Sequence, residues 1–254
     1  MKTLIIIPAR YGSARFPGKL LADLNGKSVI RRTMERCLEA EKVERLLVAT
    51  DDERILANVE AGGGEAVLTH GSHRSGTERC AEALERSPFN PDIVVNVQGD
   101  EPFISPEQID RAIDLFEDPE VDIGTLGCAI HEEESFQDPD RVKVVADPKG
   151  HCLYFSRSPI PYPRKGNGQE RIQHIGLYAY RSSVLSEIAG LDPTPLERSE
   201  GLEQLRWLEH GYRIRIAIGQ NQHPGIDNPQ DLERARARIS KGNERNAEDK
   251  HGSA

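Results

Sequence analysis

The sequence predicts an α/β fold with a doubly wound, mostly parallel sheet and an inserted, more antiparallel subregion. Two observations support this prediction. Short apolar runs alternate with segments of helical period in the first half of the chain, and this alternation stops near residue 120. Right-handed crossovers place the carboxyl ends of parallel strands at one edge of the sheet, which is where ligands bind.

The first half contains four apolar runs of strand length: Leu4–Ile7, Leu46–Thr50, Ala66–Leu68 and Ile93–Val97. Helical segments separate these runs. The first, Val29–Ala40, follows Ser28 as a predicted N-cap, and the second runs from Asp52 toward Glu60 and stops at three glycines. The third follows Ser75, which is predicted to form an S-x-x-E capping box with Glu78.

The region 121–181 is predicted to be the inserted subregion, because strand-like runs follow one another there with few helices between them. These runs are Ile123–Ile130, Val142–Ala146, Cys152–Phe155 and Ile175–Tyr180. The chain then returns to α/β character with a helix near Glu200–His210, a strand at Ile214–Ile218 and a closing helix from Pro229 to about Ser240. We therefore expect one domain over 1–240 and a mobile, polar tail over 241–254.

The composition narrows the classes of function. A net charge of -9 argues against a general nucleic-acid-binding protein and favours small anionic substrates. No apolar run reaches membrane-spanning length and no signal peptide is apparent, so we expect a cytoplasmic protein without a membrane partner. The four cysteines show no C-x-x-C spacing and are predicted to be small buried side chains: Cys37, Cys80, Cys128 and Cys152.

A basic loop follows the first strand and interrupts this acidic character. Residues 1–22 contain four cations and no acid, and three of the cations, Arg10, Arg15 and Lys19, lie in a segment broken by glycine and proline. Such a loop at the end of a buried strand is typical of a polyphosphate site. It is not a Walker A motif, because five residues separate Gly12 from Gly18, and no G-x-G-x-x-G fingerprint is present.

Two aspartates are candidate ligands for a divalent cation. Asp100 follows the apolar strand that ends near Val97, so it is expected at the ligand edge of the sheet. Asp227 precedes Pro229, and either Asp227 or Asn228 is expected to cap the helix that this proline opens. Two carboxylates and a triphosphate would suffice for Mg²⁺, which keeps several water or phosphate ligands.

Six motifs in order resemble the 3-deoxy-manno-octulosonate cytidylyltransferases, the CMP-Kdo synthetases of Gram-negative bacteria, over residues 1 to about 240. The motifs are the basic loop Ile7–Lys19, Ser75–Arg79, Asn96–Pro102, Tyr154–Arg157, His174–Tyr178 and Leu202–Arg206. Sialic-acid cytidylyltransferases are similar but typically have Gly-Gly-Ser-Lys in the loop, where this chain has Tyr11–Arg15.

The resemblance implies a nucleotide-diphospho-sugar transferase-like fold, a homodimer formed partly by the inserted region, and activation of Kdo by CTP with Mg²⁺ for lipopolysaccharide biosynthesis. It implies that Arg10, Arg15, Lys19, Ser75, Gly76 and Thr77 bind the nucleotide. It further implies that Lys19, Asp100 and Asp227 are catalytic, with the two aspartates as metal ligands. The sugar acid would contact Gln98, Arg157, His174, Tyr178, Glu203 and Gln204.

Other interpretations remain open at this point. His174 and Tyr178 alternate on a strand and would also suit ordinary packing, while Glu203 and Gln204 would suit a solvated helix face. The substrate could be another acidic sugar, such as an 8-amino analogue or a sialic acid. A nucleotide-binding regulator or a Rossmann oxidoreductase is a more distant alternative, and pyrophosphate release with a panel of sugar acids discriminates among them.

Overall fold

The computed structural model describes residues 1–13, 15–164, 170–219 and 225–251, with side chains described as far as Lys241. Its strands are β1 (Thr3–Ala9), β2 (Arg45–Thr50), β3 (Glu65–Leu68), β4 (Ile93–Asn96), β5 (Ile123–Ala129), β6 (Lys143–Ala146), β7 (Cys152–Ser156), β8 (Ile172–Arg181) and β9 (Ile214–Gly219). Its α-helices are α1 (Val29–Cys37), α2 (Glu53–Glu60), α3 (Gly76–Arg86), α4 (Pro106–Asp114), α5 (Glu133–Gln137), α6 (Ser182–Ala189), α7 (Pro195–Glu200), α8 (Glu203–Glu209) and α9 (Pro229–His251).

The central sheet has the order β3-β2-β1-β4-β8-β5-β9. Strands β1 to β4 pair in parallel, β8 pairs antiparallel with both β4 and β5, and β9 pairs parallel with β5. The hairpin β6–β7 lies off this path and joins the sheet through β8. The predicted fold class, α/β with a mostly parallel sheet and some antiparallel strands, is confirmed.

The predicted inserted subregion is only partly separate from the sheet. Its first and last strands, β5 and β8, lie inside the central sheet, and the hairpin β6–β7 departs from it. The physical reason is burial: six of the seven residues of β5 are buried, so this strand needs covering on both faces. The domain limits at 121–181 and 240 stay predictions.

Strand β1 separates two hydrophobic cores, because alternate side chains of a strand point to opposite faces. Ile5 and Ile7 belong to a core that also contains buried residues of α1, α2, α4 and α9, whereas Leu4 and Ile6 belong to one that contains residues of α3, α6 and α8. All four side chains are at most 1% exposed, and each contributes about 1.5–3 kcal/mol of hydrophobic stabilisation. This tight packing makes the end of β1 a rigid base for the loop that follows.

The predicted N-caps Ser28 and Ser75 are confirmed, and Asp52, predicted only as the start of the second helix, caps α2. Ser28 Oγ accepts a hydrogen bond from Arg31 N (3.4 Å), an Asp52 carboxylate oxygen accepts one from Arg54 N (2.9 Å), and Ser75 Oγ accepts one from Glu78 N (3.2 Å). The other half of the predicted capping box is shifted by one residue, because the Glu78 carboxylate accepts from the amide of Arg74 (2.8 Å) and not from that of Ser75. Each cap is worth about 0.5–2 kcal/mol, and the third fixes the start of α3 beside β1.

The helices differ from the prediction in number and in length. Helices α4, α5, α6 and α7 were not predicted, although Ser105 and Pro106 are ordinary start signals for α4. The closing helix was predicted to end near Ser240 but continues to His251, so much of the segment predicted as a mobile tail is helical. Among the described helices, none is both long enough and apolar enough to cross a bilayer.

Candidate active site

A cavity of about 360 Å³ opens at the carboxyl edge of the sheet, beside the ends of β1 and β4. Its polar lining comes from the loop after β1, the start of α3, the turn after β4 and the turn before α9. The lining residues are Pro8, Arg10, Ser13, Arg15, Lys19, Leu20, His73, Arg74, Ser75, Gly76, Arg79, Gln98, Gly99, Asp100 and Asp227. The structure thus brings together the predicted phosphate-binding cations and both predicted metal ligands.

The basic loop closes on Tyr11. The carbonyl oxygen of Tyr11 accepts hydrogen bonds from Ser13 N (3.1 Å) and Gly18 N (3.0 Å). Gly18 has a φ of 73°, and a Cβ there would lie 3.0 Å from the Tyr11 hydroxyl, so glycine is required at this position. The guanidinium of Arg54 lies 3.5 Å from the Tyr11 ring centroid. These contacts hold the loop in a shape that directs Lys19 into the cavity. Ala14, in the same loop, lies outside the described residues.

Lys19 lies between the two aspartates. Its Nζ donates to Asp227 Oδ1 (3.2 Å) and pairs with Asp100 Oδ2, and Arg15 also pairs with Asp227 Oδ1 (3.0 Å). The Lys19 side chain is 13% exposed and that of Arg15 is 70% exposed. Exposed ion pairs contribute little to stability, so Lys19 is the main electrostatic link between the carboxylates.

Backbone contacts position the two aspartates. Ile226 is 1% exposed in the core, and its amide donates to the carbonyl oxygen of Asp100 (2.9 Å). Asn228 Oδ1 accepts from Asp231 N (3.0 Å), while Asp231 Oδ2 accepts from the amide of Asp227 (3.1 Å). Asn228 is therefore the cap of α9, and the carboxylate of Asp227 is available to face Lys19. The alternative left open by the sequence is resolved in favour of Asn228.

The donor set fits a hard divalent cation. Asp100 and Asp227 direct carboxylate oxygens toward the ammonium group of Lys19. Carboxylate oxygens are the type of ligand that Mg²⁺ prefers. Within the part of the chain that the structure describes, no cluster of three or more His, Cys, Asp or Glu side chains has a metal-binding arrangement. Phosphate and water oxygens would therefore supply the other ligands.

The four cysteines are buried and free, as predicted, and burial raises the pKa values of Cys37, Cys80 and Cys152.

The predicted nucleotide residues on α3 separate into two groups. Ser75 and Gly76 line the cavity, and a Cβ on Gly76 would lie 3.2 Å from Pro8, so glycine permits the close approach of α3 to β1. Thr77 is 2% exposed, and its hydroxyl donates to Glu203 Oε2 (3.0 Å). Thr77 therefore contacts the helix that carries Glu203.

Three further basic residues line the cavity that were not predicted from the sequence to be site residues: His73, Arg74 and Arg79. Arg79 is 4% exposed and donates to Thr69 Oγ1 (2.6 Å) and Asp51 Oδ2 (2.8 Å). The sequence did contain an indication of a role for His73 and Arg74, because both directly precede Ser75, the N-cap of α3, and anions bind readily at helix N-termini.

Of the six predicted sugar-binding residues, Gln98 lines the first cavity and Glu203 lines a second cavity of about 390 Å³ that shares Arg74 and Ser75 with the first. The other four, Arg157, His174, Tyr178 and Gln204, line neither of these two cavities. Burial raises the pKa of Glu203, against the opposing effect of hydrogen bonds with Ser75 and Thr77. Gln204 is 6% exposed on α8, so the interpretation of Gln204 as part of a solvated face is wrong.

His174 and Tyr178 belong to an aromatic cluster under α8. The His174 ring lies 5.1 Å from that of Phe155 and 5.2 Å from that of Tyr178, and the Tyr178 ring lies 5.0 Å from that of Trp207. The Thr125 hydroxyl donates its one hydrogen to Leu177 O (2.9 Å). In the 3.0 Å contact between Thr125 Oγ1 and His174 Nε2, the histidine is therefore assigned as the donor, with its proton on Nε2.

Arg157 follows β7 and faces the turn between α7 and α8. Its Nε donates to the carbonyl oxygen of Glu200 (2.8 Å), and its second guanidinium donor reaches Pro139 O (3.1 Å). A guanidinium has five N–H groups, so these two bonds leave capacity for a substrate carboxylate.

Burial lowers the pKa of His174 from 6.5 to about 3, and we expect the folded protein to lose stability as the pH falls between these values. In this range the unfolded chain binds a proton that the folded chain does not, so the free energy of unfolding decreases by up to about 1.4 kcal/mol per pH unit. Urea denaturation at pH 7 and pH 5 measures this. The His174→Gln variant should show a smaller decrease; an equal decrease would contradict the assignment.

Comparison with known proteins places this geometry in a family. The family model for Cytidylyltransferase matches residues 4–215. The 3-deoxy-manno-octulosonate cytidylyltransferase of Porphyromonas gingivalis is 49% identical over 92% of this chain and 95% of its own length. The enzyme of the same name from Thermodesulfovibrio yellowstonii is 46% identical over 92% of this chain and 96% of its own length.

A solved structure agrees with these sequence matches. The structure of a CMP:2-keto-3-deoxy-manno-octonic acid synthetase complexed with CTP is 42% identical and superposes with a TM-score of 0.91, covering 95% of this chain and 100% of the other. Both the sequence and the arrangement of the strands therefore match over nearly the whole length. The chain belongs to the cytidylyltransferase family, as a nucleotidyltransferase of the 3-deoxy-manno-octulosonate cytidylyltransferase group.

Proposed function

We propose that this protein transfers CMP from CTP to 3-deoxy-manno-octulosonate (Kdo) and releases pyrophosphate, a step of lipopolysaccharide biosynthesis. The observation that supports this most is one cavity in which Arg10, Arg15 and Lys19 face Asp100 and Asp227. The anomeric hydroxyl oxygen of the sugar attacks the α-phosphorus and loses its proton. The bond from this phosphorus to the bridging oxygen breaks, and pyrophosphate leaves with the electron pair.

The chain's own residues act by positioning and by neutralising charge. Negative charge moves onto the leaving pyrophosphate, and preorganised cations in a sheltered site stabilise it. Lys19 is the best placed of them, because its side chain is 13% exposed and held by contacts from both sides. Arg10 and Arg15 approach from the more open rim of the cavity.

Asp100 and Asp227 would hold Mg²⁺, which when bound supplies Lewis-acid neutralisation of phosphate charge. Lys19 occupies the space between these carboxylates in the structure, so it must transfer its contacts to phosphate oxygens when the substrates bind. Ser75 and Gly76 lie where they can contact the nucleoside end of CTP.

The sugar acid would lie toward α8, in the space between Gln98 and the second cavity. Arg157 would bind its carboxylate, since an Arg fork matches carboxylate geometry. Glu203 would accept hydrogen bonds from sugar hydroxyls, and Gln204 could both accept and donate them. His174, which is neutral, would form a hydrogen bond with the sugar without adding charge.

Pyrophosphate release with CTP, Mg²⁺ and a panel of sugar acids tests this function. We expect release with Kdo that stops when CTP, Mg²⁺ or the sugar acid is omitted. Release with an 8-amino analogue or a sialic acid in place of Kdo would change the assigned substrate. No release with any acid would reject the transferase function.

The Arg157→Ala variant tests the sugar side of the site. We expect the KM for the sugar acid to rise by about 10- to 100-fold, because a charge-assisted bond is lost, while the KM for CTP stays within about twofold. Arg213→Ala is the matched control, since Arg213 forms an exposed ion pair with Glu120 (2.9 Å). An unchanged KM for the sugar acid would contradict the role of Arg157.

We also propose a homodimer that uses the region of β6 and β7. Leu153 on β7 is 63% exposed and Tyr162, shortly after β7, is 84% exposed, which is unusual for large apolar side chains. Light scattering should give the mass of a dimer for the native protein and a monomer for Leu153→Glu. A monomeric native protein would reject this proposal. The cytoplasmic location stays a prediction.

A further inference from the structure

Glu200 receives hydrogen bonds from two consecutive residues at the end of β7. Ser156 Oγ donates to one carboxylate oxygen (2.6 Å), and the amide of Arg157 donates to the other (2.9 Å). The backbone carbonyl of Glu200 accepts from Arg157 Nε (2.8 Å). Arg157 is therefore held by Glu200 at its backbone and at its guanidinium.

The charges around Glu200 are arranged to keep it ionised. Burial alone would raise the pKa of Glu200, but the hydrogen bonds from Ser156, Arg157 and Tyr154 outweigh it, so the pKa is lowered. Lys143 is completely buried nearby and donates to the carbonyl oxygen of Asp138 (2.7 Å). An ionised carboxylate offers only acceptors, which suits the donors directed at it.

The position of Glu200 in the fold links both sides of the proposed sugar site. It is the last residue of α7, and Gly201, with a φ of 63°, turns the chain so that α8 begins at Glu203. A shift of the carboxylate would therefore move Arg157 relative to Glu203.

We propose that Glu200 is a positioning residue that orients Arg157 toward the carboxylate of the sugar acid and fixes its distance from α8. This inference rests on the proposed function, in which Arg157 binds that carboxylate. Glu200 itself need not touch the substrate. Its removal should weaken sugar-acid recognition and leave CTP recognition unchanged.

The Glu200→Gln variant in the full-length protein tests this proposal, with Kdo as the probe. A glutamine side chain has one acceptor oxygen and places an NH₂ donor against one of the two donors, Ser156 or Arg157. We expect the KM for Kdo to rise by about 10-fold and the KM for CTP to stay within about twofold. Glu134→Gln, an exposed carboxylate on α5, is the matched control and should leave both constants unchanged.

A second variant guards against a folding defect. Ser156→Ala removes one hydrogen bond to Glu200, together with the one that Ser156 Oγ accepts from the amide of Ser158 (3.0 Å). It should raise the KM for Kdo by about threefold, again without affecting CTP. If both variants bind Kdo as the native enzyme does, the role of Glu200 is rejected. An equal rise in both KM values in each variant also rejects it, because that result indicates general damage to the site.

A double-mutant cycle separates this inference from the proposed function. If Glu200 acts through Arg157, Glu200→Gln should add less than about twofold to the KM for Kdo in the Arg157→Ala background. Additive effects would overturn the inference. If Arg157→Ala raises the KM and Glu200→Gln does not, the inference fails and the proposed function stands. If Arg157→Ala has no effect, the proposed role of Arg157 fails and this inference fails with it.

Discussion

Replacement of Asp100 with asparagine is expected to lower kcat by at least about 100-fold while the protein stays folded. Asp100 follows β4 at the edge of the cavity, where its carboxylate pairs with Lys19 and is 24% exposed. The amide of asparagine is a weaker ligand for a hard cation and carries no charge to complement Lys19. Steady-state pyrophosphate release across a range of Mg²⁺ concentrations measures the effect, and higher Mg²⁺ should restore part of the activity.

The matched control for this variant is Asp114→Asn. Asp114 also pairs with a lysine, Lys42, but at the surface of the molecule, where such pairs are worth about 0–1 kcal/mol. The control should retain native kinetics. Near-normal turnover in Asp100→Asn would show that Asp100 has no role in the mechanism. A thermal melt of the Asp100→Asn variant checks that this protein is folded.

Replacement of Lys19 with alanine is expected to lower kcat/KM for CTP by at least about 100-fold. Lys19 links Asp100 and Asp227, and it is the least exposed of the three loop cations Arg10, Arg15 and Lys19. Its loss removes one positive charge from the site of the leaving pyrophosphate. The KM for CTP should rise and kcat should fall, whereas the KM for the sugar acid should change little.

Lys27→Ala is the control for the loss of a lysine, because Lys27 forms an ion pair with Glu35 (2.7 Å) whose side chains are both more than 40% exposed. It should leave both KM values unchanged. Unaltered steady-state kinetics in Lys19→Ala would show that the basic loop is ordinary surface charge. Circular dichroism establishes whether the variant has the native content of helix and strand.

Local sequence signals accounted for much of the scaffold. The run Leu4–Ile7 became β1 because four consecutive apolar side chains are buried on both faces of a sheet, a pattern that parallel strands show. Ser28, Asp52 and Ser75 cap their helices because the side-chain oxygen and the amide it accepts from are two or three residues apart. Such contacts depend on short stretches of chain, so a motif is enough to predict them.

Other features depend on contacts between distant segments. The insertion of β8 between β4 and β5 places a strand antiparallel to its neighbours, and no local pattern distinguishes this from a separate antiparallel layer. The choice of Asn228 rather than Asp227 as the cap of α9 likewise depends on the contact of Ile226 with Asp100.

The sequence alone determined the α/β class, the basic loop with Arg10, Arg15 and Lys19, and the two candidate metal ligands, because each is written in a short motif of strand, turn and charge. Only the tertiary structure decided that Lys19 lies between Asp100 and Asp227, that Thr77 contacts Glu203, and that Glu200 holds Arg157. These pairs come from segments far apart in the chain. Burial and the need to pair buried polar groups bring them together, and those requirements act on the folded molecule as a whole.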